Sequence, residues 1–170
     1  RAFAEHALSR GDNVVATARS SAKLDALVAL DPARVLAAKL DVDQAGDAQA
    51  AVAAAVARFG RIDILVNNAG GTVPTPNVED VPELVQRIQG APRADDDFER
   101  TALFHAFAVQ MNLISPLWFA IRVYRQMRSQ DGVGSIINIS SGTGHPAGSP
   151  TLVSYGAAKA GLNHLTRSLA

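Results

Sequence analysis

RIDILVNNAG, residues 61–70, decides how this chain folds. Ile62 to Val66 is too short and too continuously apolar for a surface helix, and it runs directly into Asn-Asn-Ala-Gly, so it reads as a strand closed by a loop. The residues on either side repeat the pattern. Upstream, Gln44 to Phe59 is an alanine-rich helix ended by Gly60, and Arg34 to Leu40 (RVLAAKL) is a strand candidate. Before it, a helical stretch starts near Ser20–Ser21 and carries Leu24, Leu27, Val28 and Leu30, and Asn13 to Ala18 (NVVATA) is a β-branched apolar run. The first segment, RAFAEHALSRG, is a helix closed by Gly11. Downstream, a long helical pattern from Phe98 to about Arg128 is expected to break near Pro116. Ser135 to Ile139 (SIINI) is a fourth strand, and a glycine- and proline-rich loop leads to a last helix from Tyr155 to Ala170. Strands alternating with helices indicate parallel βαβ units, hence an α/β fold with a doubly wound sheet and helices on both faces. In such sheets ligands bind beyond the carboxyl ends of the strands, where Arg19, Asp41, Asn67 and Ser141 fall.

Composition narrows the function classes. The 170 residues carry 16 basic and 16 acidic side chains, a balance that argues against a nucleic-acid partner. With 48% hydrophobic and 19% charged residues the chain is too apolar for a disordered tail and suffices for a core in one domain. It has no cysteine, which excludes disulfides, thiolate zinc sites and cysteine nucleophiles and fits a reducing cytosol. No continuous apolar run reaches the roughly 18 residues of a membrane span, so no membrane partner is expected. The start at Arg1 in a helix without a preceding strand, and the end at Ala170 inside a helical pattern, read as a fragment of a longer protein.

Chemistry concentrates near the end of the chain. Tyr155 and Lys159, four residues apart, share one helix face, and Ser140–Ser141 lie just beyond a strand upstream. An ammonium beside a phenol favours the phenolate, and a nearby hydroxyl can hold a carbonyl or alcohol oxygen, so the trio suits proton transfer at a carbon being reduced or oxidised. The same spacing also belongs to an ordinary amphipathic helix with a surface lysine.

Taken with Asn67-Asn68-Ala69-Gly70 after a strand and Asn112 within a helix, the order Ser141, Tyr155, Lys159 resembles the short-chain dehydrogenase/reductase family over nearly the whole chain. The resemblance implies a Rossmann-like three-layer α/β/α domain over residues 1–170, incomplete at both ends, in a cytoplasmic NAD(P)-dependent oxidoreductase acting on a small-molecule carbonyl or secondary alcohol. It implies Tyr155 as catalytic acid/base, Lys159 on the nicotinamide ribose easing loss of the phenolic proton, Ser141 orienting the substrate oxygen, and Asn112 completing the tetrad in MNLISP. Ser141 is preferred over Ser140 because a glycine three positions later fits the family's loop. Asp41 and Val42 match the adenine contact, and Asn67, Asn68, Ala69 and Gly70 would line the cofactor, although a plain turn also uses Asn and Gly. Where NAD-preferring members carry an acid, this chain has Ala18 followed by Arg19, and a guanidinium matches a 2′-phosphate. NADP(H) is therefore expected over NAD(H). Phe104, Phe107, Trp118, Phe119, Leu162 and Leu165 on the long helix and the last one are apolar residues that more often mark a core than an interface, while the resemblance implies a homodimer or homotetramer through this helix pair.

The chain departs from the family in two respects. The glycine-rich phosphate loop is absent and would lie upstream of Arg1; its strand belongs between the first and third strands here, so a gap and poor stability are expected of the chain alone. The stretch at about 71–100 is longer than usual, with helical turns at Val81, Leu84, Val85 and Ile88 and an acidic run Asp95-Asp96-Asp97 read as a helix cap and not as a metal site. His6, His105, His145 and His164 share no ligand spacing, and no metal is expected. Gly132-Val-Gly134 precedes a strand and reads as a turn, while Pro146 and Pro150 make Gly142-Thr-Gly144 an irregular loop and not a dinucleotide loop. The alternative is a nucleotide-binding or regulatory protein without redox chemistry, or an inactive remnant, distinguished by binding NADPH without consuming it.

Overall fold

The computed structural model describes residues 1–72, 97–132 and 134–170. Among them the elements are α1 (Ala2–Ser9), β1 (Val14–Ala18), a 3₁₀ turn (Ser21–Leu24), α2 (Asp25–Val28), β2 (Val35–Lys39), α3 (Ala45–Phe59) and β3 (Ile64–Asn67). There follow α4 (Asp97–Val109), a π turn (Gln110–Ile114), α5 (Ser115–Ser129), β4 (Ser135–Asn138), a second 3₁₀ turn (Gly142–Gly144) and α6 (Val153–Leu169). Every strand expected from the sequence is present, with ends displaced by at most two residues. The expected turns at Val81–Ile88 and the acids Asp95 and Asp96 lie outside the described residues.

The chain forms two compact units, residues 1–65 with 118–135, and residues 66–117 with 136–170. In the first, β1 and β2 pair in parallel with Val14 opposite Val35 and Ala18 opposite Lys39. Leu8 of α1, Leu27 of α2 and Val35 of β2 are buried together, with Ala4, Val14, Ala16 and Val28 packed around them. Arg34 fastens this cluster, pairing with Asp31 at 2.7 Å and donating to the Leu8 carbonyl at 3.0 Å, which satisfies the C-terminal end of α1. The alanine-rich α3 buries Ala48, Ala51 and Ala55, one helical face of small side chains. Gly60 ends it with φ +82° and an N–H to the Val56 carbonyl at 2.8 Å, a left-handed cap that a residue with a Cβ adopts only under strain.

β3 and β4 form a second two-stranded sheet. The Ser135 N–H bonds the Asp63 carbonyl at 2.8 Å and the Ile139 N–H bonds the Asn67 carbonyl at 2.9 Å, so equal steps along both strands make them parallel.

Two expectations need correction. The long helix does not break at Pro116; its irregularity is the π turn over Gln110–Ile114, just before it. Proline has no N–H and its ring clashes with the carbonyl four residues earlier, here that of Asn112; widening one turn relieves the clash while the helix continues. The Ser115 N–H and Oγ both go to the Gln110 carbonyl, five residues back, the latter at 3.0 Å. Secondly, the helix from Phe98 to Ser129 is, by length and composition alone, apolar enough to cross a membrane. The polar breaks that interrupt its linear runs are few enough for an 18-residue average to remain apolar. Its buried Phe104, Ala108, Asn112, Ser115, Ala120, Val123 and Met127 give it the pattern of a core helix.

Candidate active site

Asn112, Ser141, Tyr155 and Lys159 all belong to the second unit, as do Asn67, Asn68, Ala69 and Gly70. Arg19, Asp41 and Val42 belong to the first, directly after β1 and β2.

Lys159 is the centre of the site. Its side chain is buried in the second turn of α6, and its Nζ donates to the Ile139 carbonyl at 3.0 Å, just past β4. Burial holds the ammonium below the usual lysine pKa, because desolvation penalises the charged form. The same Nζ stands 5.6 Å from the centre of the Tyr155 ring, so the four-residue spacing does bring the phenol and the cation together. An ammonium has three donors and one is engaged by Ile139; the remaining two match the two hydroxyls of a ribose, so the residue fits the nicotinamide nucleotide that the family resemblance implies.

Asn112 is fully buried in the π turn. Its Oδ1 accepts from the Gly71 N–H at 3.0 Å, and its Nδ2 donates to the Gly71 carbonyl and to the Ala108 carbonyl, both at 2.9 Å. The carboxamide therefore locks the loop after β3. Gly70 lies against it with φ +152°; a Cβ there would stand 2.6 Å from Asn112 Oδ1 and 3.4 Å from Lys159 Nζ. Asn67 points elsewhere, bonding Asn138 Oδ1 at 2.8 Å and so bracing β3 against β4. Asn68, Ala69 and Gly70 remain exposed.

Ser140 and Ser141 make different contacts. Ser140 turns towards the Lys159 carbonyl at 3.4 Å. Ser141 Oγ accepts from Thr143 N at 3.3 Å and from Thr143 Oγ1 at 3.0 Å, which leaves its own proton to donate. The turn it caps presses on α6: a Cβ on Gly144 would stand 2.9 Å from Ala160 N, and one on Gly156 3.0 Å from the Thr143 carbonyl. Those two glycines carry a role the sequence reading missed, set by a close approach that only folding creates.

In the first unit Arg19 is exposed at the end of β1. The Leu40 N–H bonds the Ala18 carbonyl at 2.8 Å, so Arg19 and Asp41 follow adjacent strand ends. Asp43 has its carboxyl raised, first by burial and then by Asp41, with Arg19 opposing the shift. No cluster of metal-ligating side chains occurs among the described residues.

The family described as short chain dehydrogenase matches residues 1–170. This chain belongs to that family. It is 38% identical over 128 residues to an uncharacterized oxidoreductase of Thermotoga maritima, covering 75% of this chain and 42% of that protein. It is 35% identical to the 1,6-dihydroxycyclohexa-2,4-diene-1-carboxylate dehydrogenase of Pseudomonas putida, over 81% of this chain and 43% of the relative. Among solved structures, a short-chain dehydrogenase from Streptomyces avermitilis superposes with a TM-score of 0.81 at 33% identity, covering all of this chain and 54% of that one. The short-chain dehydrogenase fold is thus Rossmann-like α/β, as read from the alternation of elements. The chain spans about half the length of these relatives.

Proposed function

We propose that this short-chain dehydrogenase chain carries the catalytic residues of an NADP(H)-dependent oxidoreductase interconverting a carbonyl and a secondary alcohol. The observation that carries the reading is the buried Lys159 ammonium beside the Tyr155 ring, backed by Asn112 and Gly70. Tyr155 gives its phenolic proton to the substrate oxygen in reduction and takes one from the hydroxyl in oxidation. Lys159 places its ammonium beside the ring of the group that exchanges this proton. The spare Ser141 proton bonds the substrate oxygen and fixes it for that transfer. When bound, the nicotinamide nucleotide supplies the hydride in reduction and receives it in oxidation. Two donors of Lys159 would hold its ribose, and the exposed backbone of Asn68 to Gly70 would line it. Arg19 supports the NADP(H) preference because its forked guanidinium suits a 2′-phosphate and no acid occupies Ala18.

Exposed Ile121 and Tyr124 on α5 support a homo-oligomer of the full-length protein. The test is consumption of NADPH by the full-length protein over aldehydes, ketones and quinones. Tyr155→Phe should lower turnover by roughly 10²- to 10⁴-fold while NADPH binding, followed by fluorescence, persists. Turnover unaffected by that change would overturn the assignment, and binding without consumption in the wild type would favour a regulator. Arg19→Asp should move the preference towards NADH.

A further inference from the structure

Ser154 is a polar residue buried at 8% exposure, directly before Tyr155 in the first turn of α6. Its hydroxyl lies 2.8 Å from His105 Nδ1, on α4. His105 stands seven residues before Asn112 on a continuous helical stretch, close to two turns, so both side chains leave the same face. That face therefore meets the site twice: at Asn112, which holds the loop of Gly70 and Gly71, and at His105, which holds the start of α6. The His105 ring is itself supported edge-on by Phe104, buried at 3% exposure, with centroids 5.3 Å apart.

The first turn of α6 needs such a fastening. Leu152, at its N-cap, offers no side-chain cap, and helix ends without caps fray. Tyr155 sits in that turn, and a group that transfers a proton loses rate steeply when displaced by a fraction of an ångström to an ångström. Resting on the assignment of Tyr155 above, we propose that His105 is a positioning residue for Tyr155, acting through Ser154. Either group can be the donor in this bond, according to the imidazole tautomer.

The test compares the full-length wild type with His105→Phe, His105→Asn, Ser154→Ala, the double variant His105→Phe/Ser154→Ala, and Tyr155→Phe. Asparagine can place a polar atom near the position of Nδ1, whereas phenylalanine keeps the ring without it. His105→Phe and Ser154→Ala should each lower kcat on the order of ten- to a hundredfold with KM for NADPH unchanged, and the double variant should be no worse than either. His105→Asn should recover most of the loss. Amide hydrogen exchange supplies a readout independent of turnover: both single variants should speed exchange at Gly156 and its neighbours in the first turn of α6 relative to the rest of the helix. If His105→Phe does not fold, the smaller Ser154→Ala decides by the same two readouts. Unchanged exchange, additive kcat losses, or wild-type kcat in Ser154→Ala would overturn the inference. Should Tyr155→Phe keep wild-type turnover, the Tyr155 assignment fails and positioning of a catalytic tyrosine fails with it; an active wild type with a dead Tyr155→Phe and unaffected His105 variants sinks the positioning role alone.

Discussion

The two units bury different things. In residues 1–65 and 118–135 every buried side chain among the described residues is apolar: Leu8, Leu27, Val35, Leu40, three alanines of α3, and Ala120, Val123 and Met127 of α5. In residues 66–117 and 136–170 Phe104, Ala108, Ala158 and Leu162 share the interior with Asn112, Ser115, Ser154 and Lys159, which are all of the buried polar residues described. A buried polar group is destabilising unless its partners are placed for it, so the second unit trades stability for side chains held in fixed positions. The first unit's interior is apolar, and the polar groups that fasten it, such as Arg34 on Asp31 and the Leu8 carbonyl, are only part-buried.

The contrast can be broken most sharply at Lys159. Lys159→Met should reduce turnover by on the order of a hundredfold or more, because among the described residues no other cation is placed over the Tyr155 ring. The same change should not reduce stability at neutral pH. Burial lowers the ammonium's pKa in the folded state, so the unfolded chain binds that proton more readily and the charge opposes folding at every pH below the lowered value. The opposition shrinks as pH rises through the folded pKa towards the ordinary lysine value of 10.5. Denaturant unfolding of the wild type and Lys159→Met across that alkaline range should therefore show the gap between them closing as pH rises. A gap that widened would mean the ammonium stabilises the fold.

Leu162→Ala, at 1% exposure in α6, should lower stability by about 2–5 kcal/mol, measured by urea unfolding. It should weaken turnover only through that loss. Gly70→Ala should cost about 1–3 kcal/mol, since its φ of +152° strains a residue with a Cβ and the new methyl meets Asn112 Oδ1. Unlike Leu162→Ala it should impair activity at temperatures where the protein is fully folded, which steady-state kinetics against a melting curve would reveal. At the small end, Asp63→Ala breaks an ion pair with Arg61 in the first unit, where both side chains are about half exposed. It should leave the unfolding midpoint unresolved from wild type.

Much of the fold was legible in the sequence because parallel α/β elements announce themselves locally: short β-branched runs such as NVVATA and SIINI, and helices stopped by glycine as at Gly60. The pairing of Tyr155 with Lys159 was equally legible, being a consequence of helical geometry. The π turn at 110–114 was not, since Pro116 is compatible with a break, a kink or a widened turn, and neighbouring packing selects among them. Nor could His105 be singled out, as its partner Ser154 is 49 residues away. Gly144 and Gly156 look like ordinary loop and helix glycines until the Ser141 turn is pressed on α6.

By itself, then, the sequence determined the alternation of elements, the absence of cysteine chemistry and the identity and helical spacing of the candidate catalytic side chains, all of which depend on residues within a few positions of one another. Tertiary structure alone decided that Lys159 loses its water and bonds Ile139, that Asn112 closes on Gly71 across 41 residues, and that His105 reaches Ser154. Burial and long-range hydrogen bonds are properties of packed elements, and they turn a common spacing of a tyrosine and a lysine into a buried cation facing a tyrosine ring.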